Sequence, residues 1–170
     1  MKRIYALAVI LIYVTTLVFA EYPPKGWTDD IIEGAERARQ EDKMLLLNFS
    51  GTDWCIWCKK LEANIFSDPE YGEWANDNLV QVLLDFPSSI EQSERVVRQN
   101  QALQQFFGIR GYPTIMVLDS NLIPLLQTGY LDVDAKGYIQ HLQDDRNINL
   151  TSPERFKTEF DKVIRDISLY

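Results

Sequence analysis

Cysteine and histidine are scarce: the 170 residues contain two cysteines, Cys55 and Cys58, and one histidine, His141. An exported chain stapled by structural disulfides would carry more cysteines, spread out to close long loops. A bridge across two residues closes almost no loop and constrains the unfolded chain very little. A closed structural zinc site wants four ligands, and two thiolates with one histidine fall short. Basic residues are also outnumbered, 17 Lys+Arg against 25 Asp+Glu, for a formal net charge of −8. With no basic run, nucleic acid and anionic lipid surfaces are poor partners, and the acidity serves solubility. No segment is repeated or Gly/Ser-rich, which leaves one domain of ordinary size.

One long stretch lacks charge altogether, Ile4 to Ala20. Lys2 and Arg3 precede it, and Val18 and Ala20 fit the −3 and −1 positions of a cleavage site before Glu21. This layout predicts a signal peptide over residues 1–20 and a mature domain over 21–170. An uncleaved anchor is the alternative, since about 17 apolar residues lie at the lower edge of a membrane span. Only that alternative would put the chain in a membrane. Either route delivers residues 21–170 outside the cytoplasm.

The rest alternates between helical and strand patterns. Thr28 is a candidate cap for a helix from Asp29 to about Gln40, with Ile31, Ile32, Ala35 and Ala38 on its apolar side. Met44 to Phe49 and Val80 to Asp85 are short apolar runs of the kind that form strands buried on both faces. Helical spacing resumes after the cysteines to about Phe66, from Pro69 to near Asn78, and from about Glu91 to Phe107, where Gly108 stops it. Thr114–Leu118 and Ile123–Gln127 read as a hairpin, followed by a helix around Ala135 to Leu142. Ser152 and Pro153 open a last helix with Phe156, Phe160, Val163, Ile164 and Ile167 at helical spacing. The economical solution is an α/β domain: a four-stranded mixed sheet flanked by helices, with an extra C-terminal helix.

Cys55 falls where a buried strand hands over to a helix. Free amide groups and the helix dipole there favour a thiolate, the attacking species in disulfide exchange. Cys58, one turn further in and expected to be the less exposed, is placed to attack a mixed disulfide and release the substrate. A redox pair is therefore the favoured reading, with Cys55 as nucleophile and Cys58 as resolving group. A dithiol metal carrier and a non-redox, chaperone-like binding module remain as alternatives.

Trp54-Cys55-Ile56-Trp57-Cys58-Lys59-Lys60 and Gly108-Ile109-Arg110-Gly111-Tyr112-Pro113-Thr114 resemble the two signature segments of the thioredoxin superfamily. The resemblance covers roughly residues 28–143. It implies a thioredoxin fold, a redox disulfide Cys55–Cys58, and a cis bond before Pro113. Tyr112 would offer its backbone to an extended substrate. Gly51-Thr52-Asp53-Trp54-Cys55 with Cys58-Lys59-Lys60-Leu61-Glu62 is similar to the extracytoplasmic thioredoxin-like reductases of bacteria. That similarity implies a periplasmic disulfide reductase working by dithiol exchange with no cofactor or metal, disulfide-containing exported proteins as substrates, and a membrane thiol donor of the DsbD kind. A monomer is expected. An oxidase or isomerase on the same fold is the main alternative.

Two departures stand out. Asn48 occupies the position of the family's buried aspartate, and an amide cannot take a proton, so a water or another carboxylate would have to serve. Ile56 and Trp57 replace Gly-Pro between the cysteines, so thioredoxin's reduction potential does not transfer. Trp54 is expected to shield the sulfurs and line the substrate site. Trp57 is either a recognition surface or a packed helix residue. Lys59 and Lys60 either favour the thiolate or are solvated. Trp27, Trp74 and His141 are expected to be structural, and Asn149-Leu150-Thr151 is a glycosylation sequon without meaning in a bacterial protein.

Overall fold

The computed structural model describes residues 22–144 and 146–169. The expected signal segment, residues 1–20, lies outside them. One strand, paired on both edges, decides the architecture. Strand β2 (Met44–Ser50) runs parallel to β3 (Leu79–Asp85) and antiparallel to β4 (Thr114–Leu118). Strand β4 continues by a hairpin into β5 (Pro124–Thr128). A two-residue strand β1 (Trp27–Thr28) adds itself parallel to the far edge of β3. Among the described residues the sheet therefore has five strands in the order β1-β3-β2-β4-β5, one more than the sequence pattern predicts. The extra strand is too short to show a two-residue alternation, which is why the sequence hides it.

Among the described residues six α-helices flank the sheet: α1 (Ile31–Glu41), α2 (Ile56–Leu61), α3 (Pro69–Asn78), α4 (Glu94–Phe107), α5 (Ala135–Asp144) and α6 (Pro153–Ile167). A π-helical segment, Glu62–Phe66, continues α2. Successive side chains of a strand point to opposite faces. Leu45, Leu47 and Phe49 accordingly join the core under α1, α4 and α6, while Leu46 faces the opposite core under α3, α5 and the π segment. Asn48 shares the face of Leu46 by the same alternation.

Several helix starts differ from the sequence reading. Asp30, not Thr28, caps α1, its carboxylate accepting from the amides of Ile32 and Glu33. Thr28 instead accepts from the Asp30 amide and donates to Glu33. Ser93 caps α4, so that helix begins three residues later than expected. Ser152 precedes α6 but its side chain makes no capping hydrogen bond; Pro153 opens the helix without one.

The C-terminal helix packs against the domain. Phe160 is fully buried, and its ring stacks on Phe106 and meets Phe107 edge-on, both from α4. Arg39 of α1 pairs with Asp161 at 2.5 Å. Among the described residues no helix is long and apolar enough to cross a membrane. Deleting a buried aromatic ring loses its transfer energy and leaves a cavity. Phe160→Ala is therefore predicted to lower stability by about 3–5 kcal/mol, measured by equilibrium denaturant unfolding.

Candidate active site

The site is assembled at the C-terminal end of β2. After Ser50 the chain turns at Gly51, whose carbonyl accepts the amides of both Trp54 and Cys55, at 3.2 and 2.7 Å. Cys55 is extended and caps α2, and its sulfur accepts the Cys58 amide at 3.2 Å. That hydrogen bond, at the positive end of the helix, favours negative charge on the Cys55 sulfur. The two cysteines form a disulfide with Cα atoms 5.3 Å apart. Each residue is 5% exposed, so Cys58 is not the more hidden of the two in this oxidised form. The bridge packs both sulfurs together, which removes the difference expected from helix position alone.

Two acidic residues fasten this loop. Asp85, buried at the end of β3, accepts from the Thr52 amide at 2.9 Å and from its hydroxyl at 2.6 Å. The Tyr22 hydroxyl donates to the same carboxylate at 3.1 Å. Burial first, and the Asp85 charge second, push the Tyr22 phenol above its ordinary range. Asp53 lies on the surface and gathers the amides and hydroxyls of Ser88 and Ser89. Those bonds, the Ser89 hydroxyl foremost, hold the Asp53 carboxyl down at about 2.

Aromatic rings form the rim. Trp54 is 50% exposed, donates its indole N–H to the Phe86 carbonyl at 2.8 Å, and meets the Tyr112 ring edge-on at 5.7 Å. A Cβ at Gly51 would lie 2.4 Å from that indole, so the turn needs a glycine for steric reasons. Tyr112 also packs on Phe86, and burial raises its phenol pKa. The Tyr112–Pro113 peptide bond is cis. Gly129 lets the end of β5 approach it, since a Cβ there would be 2.9 Å from the Pro113 carbonyl oxygen.

On the other flank Ile56 is 65% exposed. Trp57 is half exposed, with one contact to Tyr130 at 5.3 Å and the Lys60 ammonium 4.4 Å from its ring centroid. Trp57 is thus both packed and open to solvent, and Lys60 is engaged in a cation–π contact. Lys59 donates to the Asp53 carbonyl at 2.7 Å, which ties it to the loop rather than to a sulfur. His141 contacts the Thr128 hydroxyl at 2.8 Å, joining α5 to β5.

Behind the disulfide is a cavity of about 400 Å³ whose lining includes Cys58, Asn48, Trp27, Tyr22 and Glu62. Trp27, expected to be purely structural, therefore walls the space beside Cys58 while packing on Phe66. Trp74 packs its ring at a tilt against Tyr71, as a packing residue should. Sequence reasoning quoted Glu62 only as part of a motif and missed Phe86 and Tyr130. The signal for Glu62 was its position four residues after Cys58, which puts both on one helix face.

The model of the thioredoxin-like family matches residues 26–120, more than half of the chain. The chain belongs to the thioredoxin-like family. Within that family it is similar to the disulfide bond reductase DsbH of Chlamydia pneumoniae, 29% identical over 111 residues that span 65% of this chain and 67% of DsbH. It is also similar to the thiol:disulfide interchange protein DsbD of Haemophilus influenzae, 33% identical over 87 residues. That match takes in 49% of this chain but 14% of DsbD. A solved DsbH oxidoreductase structure aligns with a TM-score of 0.65 at 27% identity, over 69% of this chain and 85% of the other. This thioredoxin-like chain is a thiol–disulfide oxidoreductase built on the Cys55–Cys58 pair.

A carboxyl whose folded pKa is depressed stabilises the fold above its ordinary titration range, and that stabilisation disappears as pH falls through the folded value. The Asp53 tether is therefore predicted to be intact at pH 4 and to loosen as pH approaches about 2. Asp53→Ala should lose this component of the acid dependence, measured by denaturant unfolding at successive pH values.

Proposed function

We propose that this thioredoxin-like oxidoreductase is a periplasmic reductase of disulfides in exported proteins, with residues 21–170 as the mature domain. The observation that carries the reading is the Cys55 sulfur, capping α2 and accepting the Cys58 amide inside an exposed apolar rim. The rim supplies contact area for an unfolded or extended substrate, with Trp54 and Ile56 on its open surface. In this scheme Tyr112 and Pro113 bind the substrate backbone. Ile56, Trp57 and Lys59 set the stability of the reduced pair.

Reduced Cys55, as thiolate, attacks one sulfur of a substrate disulfide, and the other substrate sulfur leaves as a thiolate that takes a proton. Cys58 loses its proton and attacks Cys55 in the mixed disulfide, forming the Cys55–Cys58 bond and expelling the second substrate thiolate. Two electrons pass to the substrate, and the enzyme is left oxidised. Continued turnover needs an external dithiol, and a membrane donor of the DsbD kind fits that requirement. The direction rests on the likeness to DsbH, a protein named as a reductase, and export rests on the pattern of residues 1–20.

The equilibrium reduction potential of the Cys55–Cys58 pair, measured against a glutathione or dithiothreitol buffer, tests the direction. The reductase reading predicts a value near that of thioredoxin, about −270 mV. A value near the strong oxidants, about −120 mV, would reverse the reaction while keeping the fold and the cysteines.

A further inference from the structure

The proposed exchange has Cys58 lose a proton before it can attack, and Asn48 cannot accept one. The cavity behind the disulfide contains a group that can. Of the residues lining it, Glu62 bears the one carboxylate. It follows Cys58 by one helical turn, and its backbone amide donates to the Cys58 carbonyl, so both side chains project from the same face of the helix. The other two acids near the loop are committed elsewhere: Asp85 to Thr52 and Tyr22, Asp53 to Ser88 and Ser89. Asn48 lines the same cavity, is 6% exposed, and its Oδ1 has no hydrogen-bond partner among the described residues. A buried amide oxygen without a partner calls for a donor, and the cavity, whose lining also includes Ser50, Thr52 and Ser67, has room for water.

We propose that Glu62 is the proton acceptor for the resolving Cys58, through a water held on Asn48 Oδ1. The inference rests on the thiol-exchange reading and extends it to the second step. As the mixed disulfide is resolved, the Cys58 thiol proton passes to the water and a water proton to the Glu62 carboxylate. The Cys58 thiolate then bonds to the Cys55 sulfur, and the substrate sulfur departs with the electron pair of the broken bond. When an external dithiol reduces the pair again, Glu62 returns the proton to Cys58.

The surroundings suit this role. Burial raises the Glu62 carboxyl above its ordinary range, and the Ser67 hydroxyl, donating at 3.3 Å, only partly offsets it. A carboxylate with a raised pKa is a better acceptor for a thiol proton. The titratable groups facing it are accounted for. Lys59 on its own helix is bonded to the Asp53 carbonyl, Tyr22 on the N-terminal arm donates to Asp85, and the Tyr71 hydroxyl of α3 donates to Gln81. Tyr71 senses the Glu62 charge, which adds to burial in raising its own pKa.

The test follows the two steps separately by stopped flow, mixing reduced protein with an aromatic disulfide that releases a coloured thiolate. The first release reports attack by Cys55, the second resolution by Cys58. For Glu62→Gln the second release is expected to slow by at least about tenfold near neutral pH, with Glu62→Asp recovering most of it. The wild-type rate should fall as pH drops through the raised carboxyl pKa, and Glu62→Gln should lack that step. At high pH, where the Cys58 thiol ionises unaided, the two rates should converge. An unchanged second release in Glu62→Gln overturns the proposal and leaves thiol exchange standing. So does a slowing that persists at high pH or affects both releases equally, which would mark a structural role. Absence of the first release in the wild-type protein would instead overturn the exchange reading itself.

Discussion

Hydrogen bonding along both edges of β2 is the constraint on which the site depends. The strand is paired with β3 through all seven of its residues and with β4 through five. A strand fixed in this way cannot shift register without turning its apolar side chains to the wrong face. Its last residues therefore deliver Gly51 to a fixed point, and Gly51's carbonyl sets where Trp54 and Cys55 begin the next helix. The cysteine is placed by the sheet, and its reactivity follows from being placed at a helix start.

Around that fixed point the structure uses polar groups to hold backbone and aromatic groups to make contact area. Asp85 and Asp53 each secure a loop through several donors, one from the buried end of β3 and one from the surface. Neither is positioned on the sulfurs. Trp54, Tyr112 and Phe86 form a connected set that links the cysteine loop to the loop before β4. Trp57 is braced by Tyr130 and Lys60 on the opposite flank. Bracing lowers the entropy lost when such side chains meet a partner. A rim of this kind favours many apolar partners over one, as the proposed reductase of exported proteins requires.

Much of this was legible in the sequence because the signals were local. The apolar run Met44–Phe49 and the turn at Ser50–Asp53 located the strand and its end, and two cysteines at a three-residue separation located the helix start. Phe156, Phe160 and Ile167 at helical spacing foretold a C-terminal helix with an apolar stripe, but not whether that stripe packs on the domain or awaits a partner. What stayed hidden depended on chain segments meeting across the fold. Strand β1 is two residues long and exists only because β3 offers it an edge. Asp30 won the α1 cap over Thr28 because Thr28 is drawn into β1 and bonds Glu33. Glu62 lies near Cys58 by helical spacing alone, but Trp27 and Asn48 join them only when β1, β2 and α2 enclose a common cavity, and no spacing rule connects residues 27, 48 and 62.

Placement of nucleophile and resolving group is the centre of the account, and trapping with single-cysteine variants tests it most directly. Each variant is reduced, mixed with a disulfide-bonded unfolded polypeptide, quenched with acid, and weighed intact. Cys58→Ser should accumulate a mixed disulfide through Cys55 within the mixing time, because nothing remains to resolve it. Cys55→Ser should accumulate little over the same period. Faster trapping through Cys58 than through Cys55 would contradict the account, since it would mean that the helix start and the Cys58 amide do not make Cys55 the attacking sulfur.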